Sequence, residues 1–419
     1  MSDPIFTYID LDGEQMFVGR LWSNIRGRRE SATFEYDSAW LESPVRFALE
    51  PALTLTPGPF QSTEQKVLFG AIGDSAPDRW GRILMRRANR KQCSAEGHQP
   101  RTLFERDYLL QVNDEARQGA LRFATEFDGP FLATYEGVRI PPLIDLPRLL
   151  AASDHVVDDD DTREDLRILL APGSSLGGTQ PKASVRDTDN NLTIAKFPNK
   201  NDEYDRVTWE AVALALARKA GIIVPDMRLE TIAGRNVLLL RRFDRRGSCR
   251  IPFLSGMSMI GSNDNDVRSY LELVDALRKY GANTSRDLHE LWSRIVFTVL
   301  ISNVDDHMRN HGFLYSGYEG WHLSPAYDLN PTPIDISPRT LSTTIGLDDP
   351  SASIELAYEV CEYFGISLNQ ARETANKIGH VVATWRNEAR RFGLSKQEMD
   401  RMATAFEHED IEVVLNFSS

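Results

Sequence analysis

Cysteine is scarce in this chain: Cys93, Cys249 and Cys361 are the only three among 419 residues. So few, so far apart, make neither a disulfide framework nor a zinc site. That usage fits a reducing compartment. Long apolar runs are missing too. No stretch reaches the roughly 18 consecutive apolar residues of a membrane helix. The opening MSDPIFTYIDLDGEQ carries acidic residues where a signal peptide needs an apolar core. The expectation is a cytoplasmic protein with no membrane partner. Positive charge is in deficit: 48 Lys and Arg stand against 61 Asp and Glu, a net charge of −13. A chain this acidic does not offer nucleic acid a broad basic face, although local patches stay open. No internal repeat or low-complexity tract is visible. The remainder is ordinary globular composition, 41% hydrophobic and 26% charged. It is long enough for two or three domains with a sizeable core.

Read in order, the first sixty residues are strand-rich. Phe6, Tyr8 and Ile9 open one strand, Met16–Trp22 make a second, and Asp12-Gly13 turns between them. Ala32–Tyr36 alternates and makes a third. Helical character begins near Asp74, with Ser75 as candidate cap and Pro77 in the first turn. Its basic end, Arg86–Lys91, reads as a solvated face. Leu103–Val112 and Leu143–Ser153 read as helices, Gly119–Ala124 as a strand, and the acidic run Asp158–Asp161 as a solvated, mobile joint or the flank of a helix start. A hairpin follows, from Ala183–Val185 and Leu192–Phe197. Val207–Ala220 is an amphipathic helix closed by Gly221. Ile222–Val224 and Asn236–Phe243 read as strands. From residue 264 onward helices dominate: Val267–Tyr280, Ser285–Ser302, Ile354–Tyr363, Leu368–Phe392 and Lys396–Phe406.

The most informative stretch is NVDDHMRNHGFLYSGYEGWHLSPAYDL, residues 303–329. Asp305 and Asn310 lie five apart, and Asp328 follows eighteen residues later. This is the order and spacing of the base aspartate, metal-binding asparagine and metal-binding aspartate in protein kinases. Two carboxylates and an amide oxygen suit Mg²⁺, a hard cation that prefers oxygen. Asp305 is the candidate to accept or orient the proton of an attacking hydroxyl, with Asp306 its neighbour and competitor. Asn310 and Asp328 would hold Mg²⁺. His307 would buttress the loop or touch a phosphate. Upstream, a Gly- and Ser-rich segment precedes the hairpin, and glycine backbone can approach phosphate oxygens closely. Lys196 sits in a strand-like context, NLTIAKF, fit to place a positive charge on the phosphates of ATP. Glu210 on the following helix would either orient that lysine or stand as an exposed charge on a solvated face. Arg241-Arg242-Phe243-Asp244 falls where a hinge would lie, and Phe243 there would either stack on a base or fill the core. The working claim is phosphoryl transfer from ATP. A hydrolytic alternative, with His307, His311, Asp305 and Asp328 around a transition metal, explains neither the Gly-rich loop nor Lys196.

GSSLGGTQPK, IAKFP, LLLRRFDR, NVDDHMRNHGF and LSPAYDL resemble the HipA family of bacterial serine/threonine kinases, the toxins of toxin–antitoxin pairs. VGRLW, ATFEYDSAWL and LFGAIGDSAPDRWGR resemble that family's N-terminal subdomain. The resemblance implies an α+β, two-lobed protein-kinase-like fold related to the lipid kinases, with an N-terminal β-rich subdomain and an all-helical C-terminal lobe. The boundaries would be 1–125, 126–245 and 246–419. It implies a nucleotide loop of Gly177, Gly178, Thr179, Gln180, Pro181 and Lys182. The strand lysine would be Lys196 and the hinge Arg241, Arg242 and Phe243. Asp305 would be the base, Asn310 and Asp328 the Mg²⁺ ligands, with His307 and Tyr327 lining the ATP site. The regulatory phosphorylation site would be Ser175, with Ser174 its close competitor. A phosphate there would add about −2 charge beside the triphosphate. The family also implies a small helix-turn-helix antitoxin as partner, DNA contact through that antitoxin alone, and a protein substrate such as an aminoacyl-tRNA synthetase. A nucleotide-binding scaffold acting as co-repressor and a small-molecule kinase are the alternatives.

Overall fold

The computed structural model describes residues 3–27, 29–132, 140–170 and 180–417. They form a mixed α+β fold, β-rich toward the N-terminus and helical toward the C-terminus, as the resemblance implies. Two compact units divide the chain: residues 1–201 with 230–263, and residues 202–229 with 264–419.

The first unit opens with a five-stranded antiparallel sheet in the order β4-β3-β2-β1-β5. Its strands are β1 (Ile5–Leu11), β2 (Glu14–Arg26), β3 (Arg29–Tyr36), β4 (Pro59–Gln61) and β5 (Leu121–Ala124). Asp12 and Gly13 both take positive φ, 52° and 89°. Positive φ at both central residues is what a two-residue hairpin turn with the right twist demands. Alternation in β3 buries Ala32, Phe34 and Tyr36. In the chain, helix α1 (Ser38–Glu42) follows β3, and α2 (Gly70–Asp74), the long α3 (Arg79–Ala95) and the short α4 (Glu105–Gln111) come between β4 and β5. Ser75 does not cap the long helix. It ends α2, its hydroxyl donating to Ile72 O at 2.7 Å. Asp78 caps α3 instead, accepting from Gly81 N at 2.8 Å.

A second sheet has the order β6-β7-β9-β8. Its strands are β6 (Lys182–Arg186), β7 (Leu192–Lys196), β8 (Met227–Ile232) and β9 (Arg235–Arg241). One face presents Ala183, Val185, Ala195, Phe197, Val237 and Leu239 to a single core. That core includes Leu149, Leu150 and Val156 of α5 (Leu146–Val157), Leu166 and Leu169 of α6 (Arg163–Leu170), and Trp80 and Leu84 of α3. The link between α5 and α6 is firmer than its acidity suggests. Asp161 is buried, and its carboxylate meets Arg87 at 2.6 Å and Lys91 at 3.3 Å. Two cations of the basic run therefore anchor α3 rather than face solvent. A one-turn helix, α8 (Gly256–Met259), completes the unit.

The second unit contains α7 (Arg206–Lys219), capped by Asp205 through Thr208 N at 3.0 Å and buried on nearly every side. Gly221 follows at φ +88°. Ile222–Val224 is not a strand. Its backbone is held at Ile223, which donates to Glu290 at 3.1 Å and accepts from Ala326 N at 2.8 Å. Helix α9 (Tyr270–Tyr280) starts later than the apolar spacing suggests, because Ser269 and Glu272 form a capping box and Arg268–Ser269 pair in parallel with Thr343–Thr344. The central helix is α10 (Thr284–Leu300), whose last seven residues are all buried. Its Trp292 indole N–H donates to Ala357 O at 3.1 Å.

Helices α11 (Ile354–Glu359), α12 (Leu368–Val382), α13 (Trp385–Arg391), α14 (Lys396–Phe406) and α15 (Glu409–Leu415) pack beyond it. The expected single helix over 368–392 is thus two. Thr384 bends the chain, its hydroxyl donating back to Val381 O at 2.7 Å, and Trp385 then stacks on Phe406 at 4.7 Å. One hairpin, Gly312–Tyr315 against Trp321–Leu323, interrupts the helices. Among the described residues no helix is long and apolar enough to cross a membrane.

Candidate active site

The loop that carries the kinase-like spacing leaves the end of α10. Ser302 takes a left-handed φ of 50°, which turns the chain out of the helix. Asn303 is fully buried, and its side-chain oxygen accepts from Asn330 N at 3.1 Å. This bond ties the start of the loop to the segment after Asp328. Asp305 follows and is exposed. Its backbone oxygen accepts from His307 N at 3.0 Å and from the Asn310 side-chain amide at 3.1 Å. Asn310 is buried. With its NH₂ committed to Asp305, its amide oxygen is the atom left to meet a ligand.

The two adjacent aspartates have separate environments. Asp306 is buried; the Tyr270 hydroxyl donates to its carboxylate, and His311 Nε2 lies 3.2 Å away. Burial opposes its charge, but the neighbouring His311 and the Tyr270 hydroxyl outweigh that and hold its pKa below the usual range. Asp305 shifts the other way. Loss of hydration raises its pKa first, His307 works against this, and the carboxylates of Asp328 and Asp306 raise it further. Asp305 therefore senses the charge of Asp328. His307 is half-buried, and its Nδ1 is buried without a partner among the described residues.

Asp328 sits at a left-handed φ of 61°, and its Oδ1 accepts from the Asn330 side chain at 3.2 Å. The hydroxyl of Tyr327 donates to Arg309 O at 2.7 Å, pinning the turn Met308–Asn310 to the segment that bears Asp328. Arg309 in turn makes a two-pronged ion pair with Asp264, at 2.6 and 3.0 Å. The donor set fits a hard divalent cation: an oriented amide oxygen at Asn310 and a carboxylate at Asp328, with the Asp305 carboxyl within electrostatic range of Asp328. Among the described residues no group of three or more His, Cys, Asp or Glu could hold a metal, so the transition-metal alternative finds no ligand cluster. His311 packs edge-on to Tyr270 instead, ring centroids 5.5 Å apart.

In the first unit, Lys196 is buried at the end of β7, directly opposite Lys182 of β6. Both project from the sheet face opposite the apolar core, by strand alternation. Lys182 is held: its ammonium lies 3.1 Å from Asp78 Oδ2, and its carbonyl accepts from the Trp80 indole at 3.1 Å. Gln180 donates to Phe197 O at 3.0 Å, and Pro181 O accepts from Phe197 N at 2.8 Å. Gly177, Gly178, Thr179, Ser174 and Ser175 lie outside the described residues.

The three positions expected to form a hinge differ sharply. Arg241 is exposed and reaches Asn191 at 3.2 Å. Arg242 is buried, donating to Asp244 through Nε at 2.8 Å and to the carbonyls of Ala116 and Arg117. Phe243 is half-buried with its ring 6.3 Å from that of Phe253. Asp244 also accepts from Arg245 at 2.9 Å and from Gly119 N at 2.8 Å. Burial opposes its charge, but the two arginines hold its pKa well below the carboxylate range.

Sequence reasoning missed the supports: the Asp306–Tyr270–His311 cluster, Asn303, and the Arg309–Asp264 pair. Only the polar residues crowded around Asp305 hinted at them. Glu210, offered as an orienting group, is buried on α7 rather than displayed on a solvated face.

Comparison with known proteins places this chain. A chain from the Shewanella oneidensis MR-1 toxin–antitoxin complex of HipA, HipB and its operator DNA aligns with a TM-score of 0.68 at 15% identity, covering 99% of this chain and 100% of that one. The fold is thus that of a HipA-type structure. "Putative kinase Y4mE" of Sinorhizobium fredii is 24% identical over 336 residues, 73% of this chain and 74% of that protein. A second, similarly named protein of the same organism, Y4dM, is 26% identical over 238 residues, 50% of this chain and 56% of its own length. The sequence model described as "HipA-like C-terminal domain" matches residues 174–408, more than half of the chain. The chain belongs to that family.

Proposed function

We propose that this chain is an ATP-dependent serine/threonine protein kinase and the toxin of a toxin–antitoxin pair. The carrying observation is the loop at residues 303–328. There Asn310 is locked onto the backbone of Asp305, and the Asp305 carboxyl feels the charge of Asp328. Phosphoryl transfer asks a protein mainly for placement and charge neutralisation. Asp305, exposed while Asp306 is sequestered, accepts or orients the proton of the attacking hydroxyl. Asn310 and Asp328 supply oxygens to Mg²⁺, which when bound neutralises phosphate charge. His307 offers its unpartnered nitrogen to a phosphate. Lys196 acts on the phosphates, and the loop from Gly177 to Pro181 would cover them. Lys182, opposite Lys196, is better suited to holding α3 through Asp78 than to leaving that pair for a nucleotide. The hinge role falls to Arg241 and Phe243, while Arg242 secures the segment. Tyr327 shapes the site through Arg309.

The protein substrate is a translation component such as an aminoacyl-tRNA synthetase, and Ser175 or Ser174 is modified by the enzyme itself. A HipB-like helix-turn-helix antitoxin is the partner, in keeping with the relative crystallised with HipB and operator DNA. This chain's net charge of −13 suits indirect DNA contact. The test is incubation of the purified chain with Mg²⁺, γ-labelled ATP and bacterial extract, followed by phosphoamino-acid analysis. Label on serine or threonine, in the chain and in one extract protein, is expected. Label in a metabolite alone would favour a small-molecule kinase, and no transferred label would favour a scaffold.

A further inference from the structure

The catalytic loop is gripped from behind by a residue far away in sequence. Arg339 lies between the loop and α15, the last helix. Its Nη2 donates to Val299 O at 3.0 Å, its Nε donates to the Ser302 hydroxyl at 3.1 Å, and its Nη1 forms an ion pair with Asp410 of α15. Val299 and Ser302 flank the point where the chain leaves α10 for Asp305. Asp410 is buried, and its other oxygen accepts from Ile354 N, the first residue of α11, at 2.8 Å. A cation at a helix C-terminus is favourably placed, and here the carboxylate behind it fixes the orientation of its planar fork.

The segment that follows Arg339 continues the grip. Ser342 donates to Val304 O through its backbone N–H at 2.9 Å and its hydroxyl at 3.1 Å. Thr332 N donates to Ser302 O at 3.2 Å. Residues 302–304 thus receive hydrogen bonds on one side from 330–332 and on the other from 339–342. Arg339 is the charged member of this set and the one that reaches α15.

We propose that Arg339 is a positioning residue for phosphoryl transfer, and that Asp410 holds it in place so that α15 fixes the geometry of the loop bearing Asp305. This rests on the reading of Asp305 as the base. Neither side chain touches nucleotide in this scheme. Loss of the bridge displaces the proton acceptor, while the Tyr327 hydroxyl on Arg309 O still ties the turn bearing Asn310 to the segment bearing Asp328.

Steady-state kinetics with ATP and a phosphorylatable protein test it, alongside calorimetric binding of Mg²⁺–ATP. Arg339→Met is expected to lower kcat by roughly 10- to 100-fold, the scale of a small misplacement of a reacting group, with KM for ATP within about twofold and binding unchanged. Arg339→Lys, which keeps the charge beside Asp410, restores part of the loss. Asp410→Asn lowers kcat in the same direction. If Arg339→Met does not fold, Ser302→Ala decides, since it removes one acceptor and leaves the buried ion pair intact; a severalfold lower kcat is expected. Wild-type kcat in Ser302→Ala and in any folded Arg339→Met, or a rise in KM alone, overturns the proposal. Asp305→Asn measured in parallel separates the two claims. If it is silent while Arg339→Met is fully active, only the positioning role falls. If Asp305→Asn is active, the base assignment falls.

Discussion

At the scale of single residues, the recurring theme is a carboxylate whose surroundings decide its use. Asp305 and Asp306 are neighbours with opposite shifts, one exposed beside Asp328 and one sealed between Tyr270 and His311. The N-terminal part holds a third kind. Glu50 is buried and accepts from Ala71 N at 2.6 Å; burial above all, helped by nearby Asp74, pushes its carboxyl up to about 7. The unfolded chain releases that proton near 4.5, the ordinary value, while the folded chain keeps it until about 7. The native state therefore binds more protons across that window, and stability falls as pH rises through it. The loss is of the order of 3 kcal/mol at one unit per ~1.4 kcal/mol. Glu50→Gln should flatten the stability profile between pH 5 and 7, measured by urea unfolding; an unchanged slope would contradict this. Asp244 is the reverse case. It is the buried counter-charge of Arg242 and Arg245, so Asp244→Asn should cost about 3–5 kcal/mol by leaving buried guanidinium charge uncompensated. Thermal or urea unfolding checks it, and a loss under ~1 kcal/mol would show the arginines to be satisfied by carbonyls alone.

At the scale of elements, what the sequence revealed follows from how local each signal is. The hairpin at Ala183–Phe197, helix α14 and the Asp12-Gly13 turn were legible because period, cap and turn chemistry are written in neighbouring residues. Elements set by distant partners were not. The break at Thr384 depends on Trp385 finding Phe406. The tight acidic link after α5 depends on Arg87 and Lys91, some seventy residues earlier. Ser75 looked like a cap, but Asp78, nearer the first free N–H groups, takes that place. In the candidate site, Asp305, Asn310 and Asp328 were singled out by their spacing. Arg339, Tyr270 and Asp410 carry no local mark, since their importance arises only when the chain is folded. The seat of α15 can be tested at Gly379 of α12. A Cβ added there would meet Val414 Cγ2 at 2.5 Å. Gly379→Ala should therefore destabilise by ~1–3 kcal/mol, despite a helix-propensity gain of about 1 kcal/mol. Val414→Ala in the same background should recover part of that loss, and purely additive effects would contradict the packing argument.

For the whole molecule, the family assignment and the site chemistry come from different kinds of observation. The match over residues 174–408 defines the family, and the fold match extends over nearly the full chain. Neither speaks for the reaction, which rests on the loop of the second unit. That unit brings Asp305 into electrostatic range of Asp328, locks Asn310 against the Asp305 backbone, and ties both ends of the loop to the segments that follow it. Single-turnover transfer of labelled γ-phosphate by Asp305→Asn, at saturating Mg²⁺–ATP with affinity measured independently, asks the most direct question of that arrangement. Affinity within about twofold of the parent and transfer slowed at least ~100-fold, the span of general-base contributions, is the predicted result. Transfer at the parental rate with the same affinity would mean that the proton goes elsewhere and that this loop is not where the chemistry occurs.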